Sequence, residues 1–263
     1  MQTAQLASIR ALVIDADGVL WHGRNPLPAV PAFFDFLRAR EIRFIIATNN
    51  SARPGSEIVE RLAHFGVTIT ENQVLTSAEA TALFLPRVIP RGGRVFLIGG
   101  EGLANELTRA GFQLVEENAV AVVVGLDTHL TYQKLKRATI EIRRGAKFIG
   151  SNADKTYPSD EGLVPGSGAI IAALETATDV SPSIIGKPER AMFDIAIEKL
   201  NAPREFVAML GDRLDTDIEG AQRAGLHSIL VLTGVATRES LEHSDIQPDM
   251  IAENLDALRE MWL

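Results

Sequence analysis

Short apolar runs alternate with amphipathic stretches along the whole chain. The runs cover residues 11–15, 44–48, 95–99, 120–127, 147–151, 184–186, 206–211 and 228–233. They are rich in Val, Ile and Leu, and several lack polar alternation, which is the pattern of parallel strands buried on both faces. Between them the spacing turns helical. Ile58, Leu62 and Phe65 recur at helical intervals after Ser56, with Gly66 as a stop. Leu103 and Leu107 do the same before Gly111, as do Phe193, Ile197 and Leu200 later. Repeated strand–helix units predict a doubly wound α/β architecture.

No internal repeat, low-complexity tract or long linker interrupts this alternation. Composition shifts at 85–93, where Pro86, Pro90, Gly92 and Gly93 cluster, and again at 177–182. These breaks predict an inserted α/β domain at 78–180, with 1–77 and 181–263 forming the second domain around it.

Composition narrows the classes of function. The 263 residues are 46% hydrophobic and 23% charged, ordinary for a globular protein. A net charge of −8, with no long basic run, argues against non-specific binding to nucleic acid or to an anionic membrane. The absence of cysteine excludes disulfides, thiolate catalysis and cysteine zinc sites. Residues 1–6 carry no basic segment leading into an apolar stretch, and no apolar run has membrane-spanning length, so the expectation is a soluble cytoplasmic protein.

Four of the predicted strands end in polar or charged residues. Asp15 and Asp17 follow the first, Thr48-Asn49-Asn50-Ser51 the second, Gly186-Lys187-Pro188 a later one, and Gly211-Asp212 another. The carboxyl ends of parallel strands line one edge of a sheet, and ligands bind there. Asp15 offers an oxygen nucleophile or a metal ligand, and Asp17 a second carboxylate on the same side if strand geometry persists. Gly18 lets the backbone turn sharply. Thr48 adds a hydroxyl, Asn49 an amide donor and Lys187 a point charge, while Asp212, Asp215 and Asp217 add carboxylates. Oxygen ligands without histidine or cysteine favour Mg²⁺. Magnesium, a lysine and donors around a carboxylate describe a phosphoryl-transfer site, where catalysis is mainly positioning and charge neutralisation.

The segments Asp15-Ala16-Asp17-Gly18-Val19-Leu20-Trp21, Ala47-Thr48-Asn49-Asn50-Ser51, Gly186-Lys187-Pro188 and Gly211-Asp212-Arg213-Leu214-Asp215-Thr216-Asp217-Ile218 resemble the four ordered motifs of the haloacid dehalogenase superfamily. They look most like its phosphatase branch of 4-nitrophenylphosphatase-like and NagD-like enzymes, which carry a large cap between the second and third motifs. Ser151-Asn152-Ala153-Asp154 and Pro165-Gly166-Ser167-Gly168-Ala169-Ile170 look like segments ending that cap.

The resemblance implies a Rossmann-like doubly wound parallel core with an inserted α/β cap. It implies that Asp15 attacks phosphorus to form an aspartyl phosphate, and that Asp17 protonates the leaving oxygen and then activates water. It further implies that Thr48, Asn49, Asn50 and Lys187 bind the phosphoryl oxygens. Asp15, Asp212 and the backbone carbonyl of Asp17 would hold Mg²⁺, with Asp217 at the metal's water or orienting Lys187. Such split duties require a higher pKa for Asp17 than for Asp15. The implied partner is a small phosphorylated metabolite: a sugar phosphate, phosphoglycolate, a nucleoside monophosphate or an aryl phosphate. A homodimer through the cap is one assembly the family pattern allows. A phosphotransferase or mutase on the same scaffold, or a phosphate-ligand sensor, stays open beside the phosphatase.

Other polar features have plainer readings. Lys187 lacks the surrounding residues of a Walker motif. His22, His64, His129, His227 and His243 are scattered without ligand spacing. Gly99-Gly100-Glu101-Gly102 reads as a strand-to-helix turn, Asp215 as an exposed turn residue, and Trp21 as packing at the core edge. Asp154 is either a local cap or a lining residue.

Overall fold

The computed structural model describes residues 6–159 and 161–262. Residues 1–5 of the N-terminal stretch read above, and Asp160, lie outside them. The chain divides into two compact units, one made of Met1–Thr48, Gly55–Leu75 and Lys187–Leu263, the other of Asn49–Pro54 and Thr76–Gly186. Where composition placed the insert at 78–180, the second unit starts two residues earlier, ends six later and takes in the loop after Thr48.

In chain order the strands are β1 (Ala11–Ile14), β2 (Trp21–His22), β3 (Asn25–Pro26), β4 (Arg43–Thr48), β5 (Val74–Thr76), β6 (Arg94–Ile98), β7 (Gln113–Leu114), β8 (Ala121–Val124), β9 (Lys147–Gly150), β10 (Thr156–Ser159), β11 (Gly162–Pro165), β12 (Ser183–Ile184), β13 (Val207–Gly211), β14 (His227–Val231) and β15 (Met250–Ala252). The first unit holds a six-stranded sheet in the order β15-β14-β13-β1-β4-β5. β1 pairs in parallel with both β13 and β4, so the chain order reverses across it. That reversal opens a crevice at the carboxyl end of β1. Ile14 lies opposite Ile46 on one side and Leu210 on the other, so Asp15 leaves the sheet beside the ends of both neighbours.

All four residues of β1 are buried, as an unalternating apolar strand requires. The helix Val30–Ala39 buries Val30, Phe33, Phe34 and Leu37, and Phe34 meets Phe44 of β4 edge-on at 4.9 Å. Burying each such side chain contributes about 1.5–3 kcal/mol, which fixes the strand whose end carries Thr48. The helical spacings read from sequence appear as Gly55–His64, Glu101–Arg109 and Arg190–Leu200.

The second unit has its own parallel sheet, ordered β12-β9-β8-β6-β7, and a separate antiparallel β10–β11 hairpin. Its core gathers Phe96, Ile98, Val122, Val124, Phe148, Ile170, Ile171 and Leu174. Both sheets have the expected α/β character. The short strands β2, β3, β5, β7, β10, β11 and β15 are additions to the apolar runs, each too brief to show a period. Among the described residues no helix is long and apolar enough to cross a membrane.

Candidate active site

β1, β4 and β13 deliver Asp15, Thr48 and Asp212 to one edge, and Lys187 enters the same place. Asp15 N–H donates to Leu210 O at 2.8 Å, extending the ladder one residue past the strand. Thr48 is the last residue of β4 and is buried. Lys187, only 3% exposed, donates to Asp15 Oδ1 at 2.5 Å and to Asp217 Oδ1 at 2.8 Å. Asp217 Oδ2 accepts from the backbone N–H groups of Asp212 at 3.2 Å and Arg213 at 3.1 Å. The lysine is therefore clamped between two carboxylates, one of which is fixed by backbone donors.

Asp15, Asp212 and Asp217 bring carboxylate oxygens within 4.8 Å of one another, all buried. One lysine cannot neutralise three carboxylates, and the protonation energetics show it. Burial pushes the Asp15 carboxyl well above its ordinary value; Lys187 opposes this, and the carboxylates of Asp217 and Asp212 add to it. Asp212 is pushed up to about 6 by burial and by Asp217, against the Val235 N–H, Lys187 and Arg213. Burial works against the charge of Lys187, but Asp15 and Asp217 outweigh it and hold the ammonium protonated far above neutrality.

Two observations test whether a metal fits here. Asp212 Oδ1 is buried with no hydrogen-bond partner, a costly state for a carboxylate oxygen. Its other oxygen accepts from Val235 N–H at 2.7 Å. Gly18, at φ +82°, and Gly234 both press against this carboxylate, and a Cβ at either position would run into it. The surplus charge, the orphaned oxygen and the hard oxygen donors together suit a divalent cation of the Mg²⁺ or Ca²⁺ type.

Asp212 also gives a stability prediction. Its folded pKa of about 6 exceeds the ordinary 3.8, so its contribution is fully present below pH 3.8 and is lost as pH rises through about 6. In metal-free protein at pH 7, Asp212→Asn should therefore raise stability by about 2 kcal/mol, a gain that shrinks toward pH 4. Thermal melts across pH with chelator present check this. Added Mg²⁺ should stabilise the parent and not the variant.

Asp17 departs from the simple strand picture. The strand ends at Ile14, before the aspartate pair, so its two-residue period does not carry the second carboxylate to the side of the first. Asp17 is exposed, and its Oδ1 accepts from Trp21 Nε1 at 2.9 Å. Its carboxylate lies outside the group of three.

Comparison with known proteins follows the same residues. Family models described as haloacid dehalogenase-like hydrolase and HAD-hydrolase-like match residues 12–113 and 184–258. The chain is 38% identical, over 95% of its length and 97% of the relative's, to an acid sugar phosphatase of Staphylococcus saprophyticus. Its structure is similar to that of a 4-nitrophenylphosphatase from Thermotoga maritima, with a TM-score of 0.93, 38% identity, and 98% and 99% of the two chains covered. A glycerol phosphate phosphatase from Mycobacterium tuberculosis, crystallised with magnesium, matches with a TM-score of 0.89 and 36% identity over 97% of this chain and 77% of that one. The chain belongs to the haloacid dehalogenase-like hydrolases.

As a member of that family it is a phosphoric monoester hydrolase of the NagD-like branch. Of the second motif, the residues that follow Thr48 belong to the other compact unit. There Asn49 Nδ2 donates to Asp154 Oδ1 at 3.0 Å, and its carbonyl accepts from Ser77 Oγ at 2.6 Å and Asn152 Nδ2 at 2.8 Å. Asp154 is thus a partner of Asn49. Asn50 Oδ1 accepts from Ala52 and Arg53 N–H groups, an Asx turn. Asp215 pairs with Arg213 on the surface, exposed as expected but within the helical segment Leu214–Ile218 and not a turn.

Sequence reasoning missed the segment Thr233-Gly234-Val235 of this hydrolase. Thr233 Oγ1 donates to Gly18 O at 2.6 Å, and Val235 N–H holds Asp212. The signal was available, because this segment ends an apolar strand with a polar residue and a glycine, as the other motifs do. His22, one of the histidines without ligand spacing, meets the Thr233 carbonyl through Nε2 at 2.5 Å.

Proposed function

We propose that the protein is a magnesium-dependent phosphatase of small phosphate monoesters that works through an aspartyl phosphate on Asp15. The observation that carries this is the buried Lys187, bonded to Asp15 and Asp217 beside an Asp212 oxygen that has no partner. An oxygen of Asp15 forms the new bond to phosphorus as the ester P–O bond breaks. The bond's electron pair leaves on the ester oxygen, which takes a proton from Asp17. In the second half, Asp17 accepts a proton from the water that cleaves the acyl phosphate, restoring both carboxyls and releasing inorganic phosphate. Lys187, the Thr48 hydroxyl, the Asn49 amide and Asn50 would bind the phosphoryl oxygens. Asp217 has both oxygens committed, which supports a role in fixing Lys187. Asp15, Asp212 and the Asp17 carbonyl would hold Mg²⁺. When bound, the ion supplies positive charge to the phosphoryl group and to the nucleophile.

The substrate class we infer is a small phosphorylated metabolite, in keeping with relatives named for acid sugar, glycerol and 4-nitrophenyl phosphates. Such charged esters do not cross a bilayer unaided, which fits a cytoplasmic enzyme. The compact unit Thr76–Gly186, with the loop 49–54, corresponds on this reading to the cap, and the other unit to the catalytic core.

The test is phosphate release from a panel of metabolite esters with no other acceptor present. Activity should vanish after EDTA treatment and return with Mg²⁺. Turnover that persists in metal-free buffer would contradict the metal assignment. Consumption of the ester only when a second hydroxyl compound is added, with the phosphoryl group recovered as that compound's ester and no inorganic phosphate released, would favour transfer over hydrolysis.

A further inference from the structure

Trp21 makes an interaction that the chemistry above does not use. Its indole N–H donates to Asp17 Oδ1 at 2.9 Å, and the residue is only 2% exposed. The ring is fixed from several directions. Phe65 packs beside it at 6.2 Å between centroids, and the Arg61 guanidinium lies 4.2 Å from its centroid. Arg61 also donates to the carbonyl of Gly23, in the turn between β2 and β3. The backbone closes the same segment, with Gly18 N–H donating to Trp21 O at 2.8 Å and Leu20 N–H to Ala16 O at 2.9 Å. The donor thus sits on a rigid support, while the acceptor is an exposed carboxyl.

An exposed aspartate samples several rotamers, and a donor locked by packing selects one of them. Tryptophan donates and cannot accept, so the oxygen it engages is the one that carries no proton. We propose that Trp21 is a positioning residue for Asp17: its indole N–H occupies Oδ1 and leaves Oδ2 to carry the proton given to the leaving oxygen. This rests on the reading of Asp17 as the acid of the first step. The proton goes from Asp17 Oδ2 to the ester oxygen as that oxygen takes the electron pair of the breaking P–O bond.

The consequence depends on the leaving group. For enzymes that form a covalent intermediate, kcat/KM reports the steps up to departure of the first product. A 4-nitrophenolate leaves without much help from a proton, whereas the alkoxide of glycerol phosphate needs one. Loss of acid positioning therefore falls more heavily on the alkyl ester. A general loss of packing would weaken both substrates together.

The experiment compares kcat/KM for 4-nitrophenyl phosphate and glycerol phosphate in Trp21→Phe, Asp17→Asn, the double variant and Phe65→Leu. Trp21→Phe should raise the aryl-to-alkyl ratio by about tenfold, and Asp17→Asn by about a hundredfold or more. Trp21→Phe should add nothing to the ratio once Asp17 is asparagine. Phe65→Leu loosens the packing around the indole but keeps its N–H, so it should leave the ratio within about twofold of the parent. If Trp21→Phe melts early, benzothienylalanine at position 21, which replaces N–H with sulfur in the same shape, carries the same expectation. An unchanged ratio in the Trp21 variants beside a raised one in Asp17→Asn overturns the positioning role alone. A ratio unmoved by Asp17→Asn overturns the acid reading and the inference with it. A shift in Phe65→Leu equal to that in Trp21→Phe assigns the effect to packing and overturns the proposal.

Discussion

Asp15→Asn is expected to lower turnover by more than about a thousandfold while leaving the protein folded. The amide has nearly the shape of the carboxylate but cannot form an acyl phosphate. Lys187 keeps its 2.8 Å bond to Asp217, and the amide oxygen can still accept the second bond. Stability separates this result from trivial unfolding. Burial raises the Asp15 carboxyl, so its ionised form costs free energy at neutral pH, and that cost grows as pH rises through the folded value. A neutral asparagine removes it. Metal-free Asp15→Asn should therefore melt at or above the parent at pH 7 while releasing no phosphate. Retention of a tenth of parent turnover, a loss of only about 1.4 kcal/mol, would sink the covalent mechanism.

The parts of this site that could be read from sequence share one physical origin. β1, β4 and β13 are buried on both faces, so their composition is nearly all apolar, and the polar residue ending each of them stands out. Asp15, Thr48 and Asp212 were legible for that reason, and Lys187 because it follows another short apolar run. What was lost is what strand period cannot report. Asp17 lies past the end of the strand, where the backbone is about to turn at Gly18, so no periodicity says where its carboxylate points. Trp21 gave only an apolar signal, since the ring dominates its hydropathy and the N–H that matters is a single atom. The unit boundary after Thr48 was invisible because no local break in the sequence marks it; Asn49 is tied to the unit of Thr76–Gly186 by bonds to Ser77, Asn152 and Asp154, all distant in sequence.

Removing Lys187 should give the largest combined loss of stability and activity. Lys187→Met keeps the length and most of the volume of the side chain, so packing changes little. It leaves Asp15, Asp212 and Asp217 buried together without the ammonium that bonds two of them. Breaking a buried ion pair from one side costs about 3–5 kcal/mol, because the remaining charge has neither water nor a partner. The sign with pH follows from the same groups. Lys187 lowers the pKa of both Asp15 and Asp212, so its removal raises them further above the ordinary carboxylate value. A carboxyl raised in the folded state stabilises below its unfolded pKa and loses that contribution as pH climbs through the folded one. In metal-free protein the deficit of the variant should thus be smaller near pH 4, where the raised Asp15 and Asp212 carboxyls hold their protons. It should widen steadily to pH 7, which a series of melts with chelator present would record. A deficit independent of pH would mean that the lysine acts through packing and not charge. Turnover at saturating Mg²⁺ should fall by at least about a hundredfold, since the proposed function makes Lys187 a preorganised donor to the phosphoryl group. Mg²⁺ should recover part of the stability, because a cation among the same carboxylates offsets the missing one, but not the turnover. The ion would neutralise the cluster without replacing the N–H donors that Lys187 holds there.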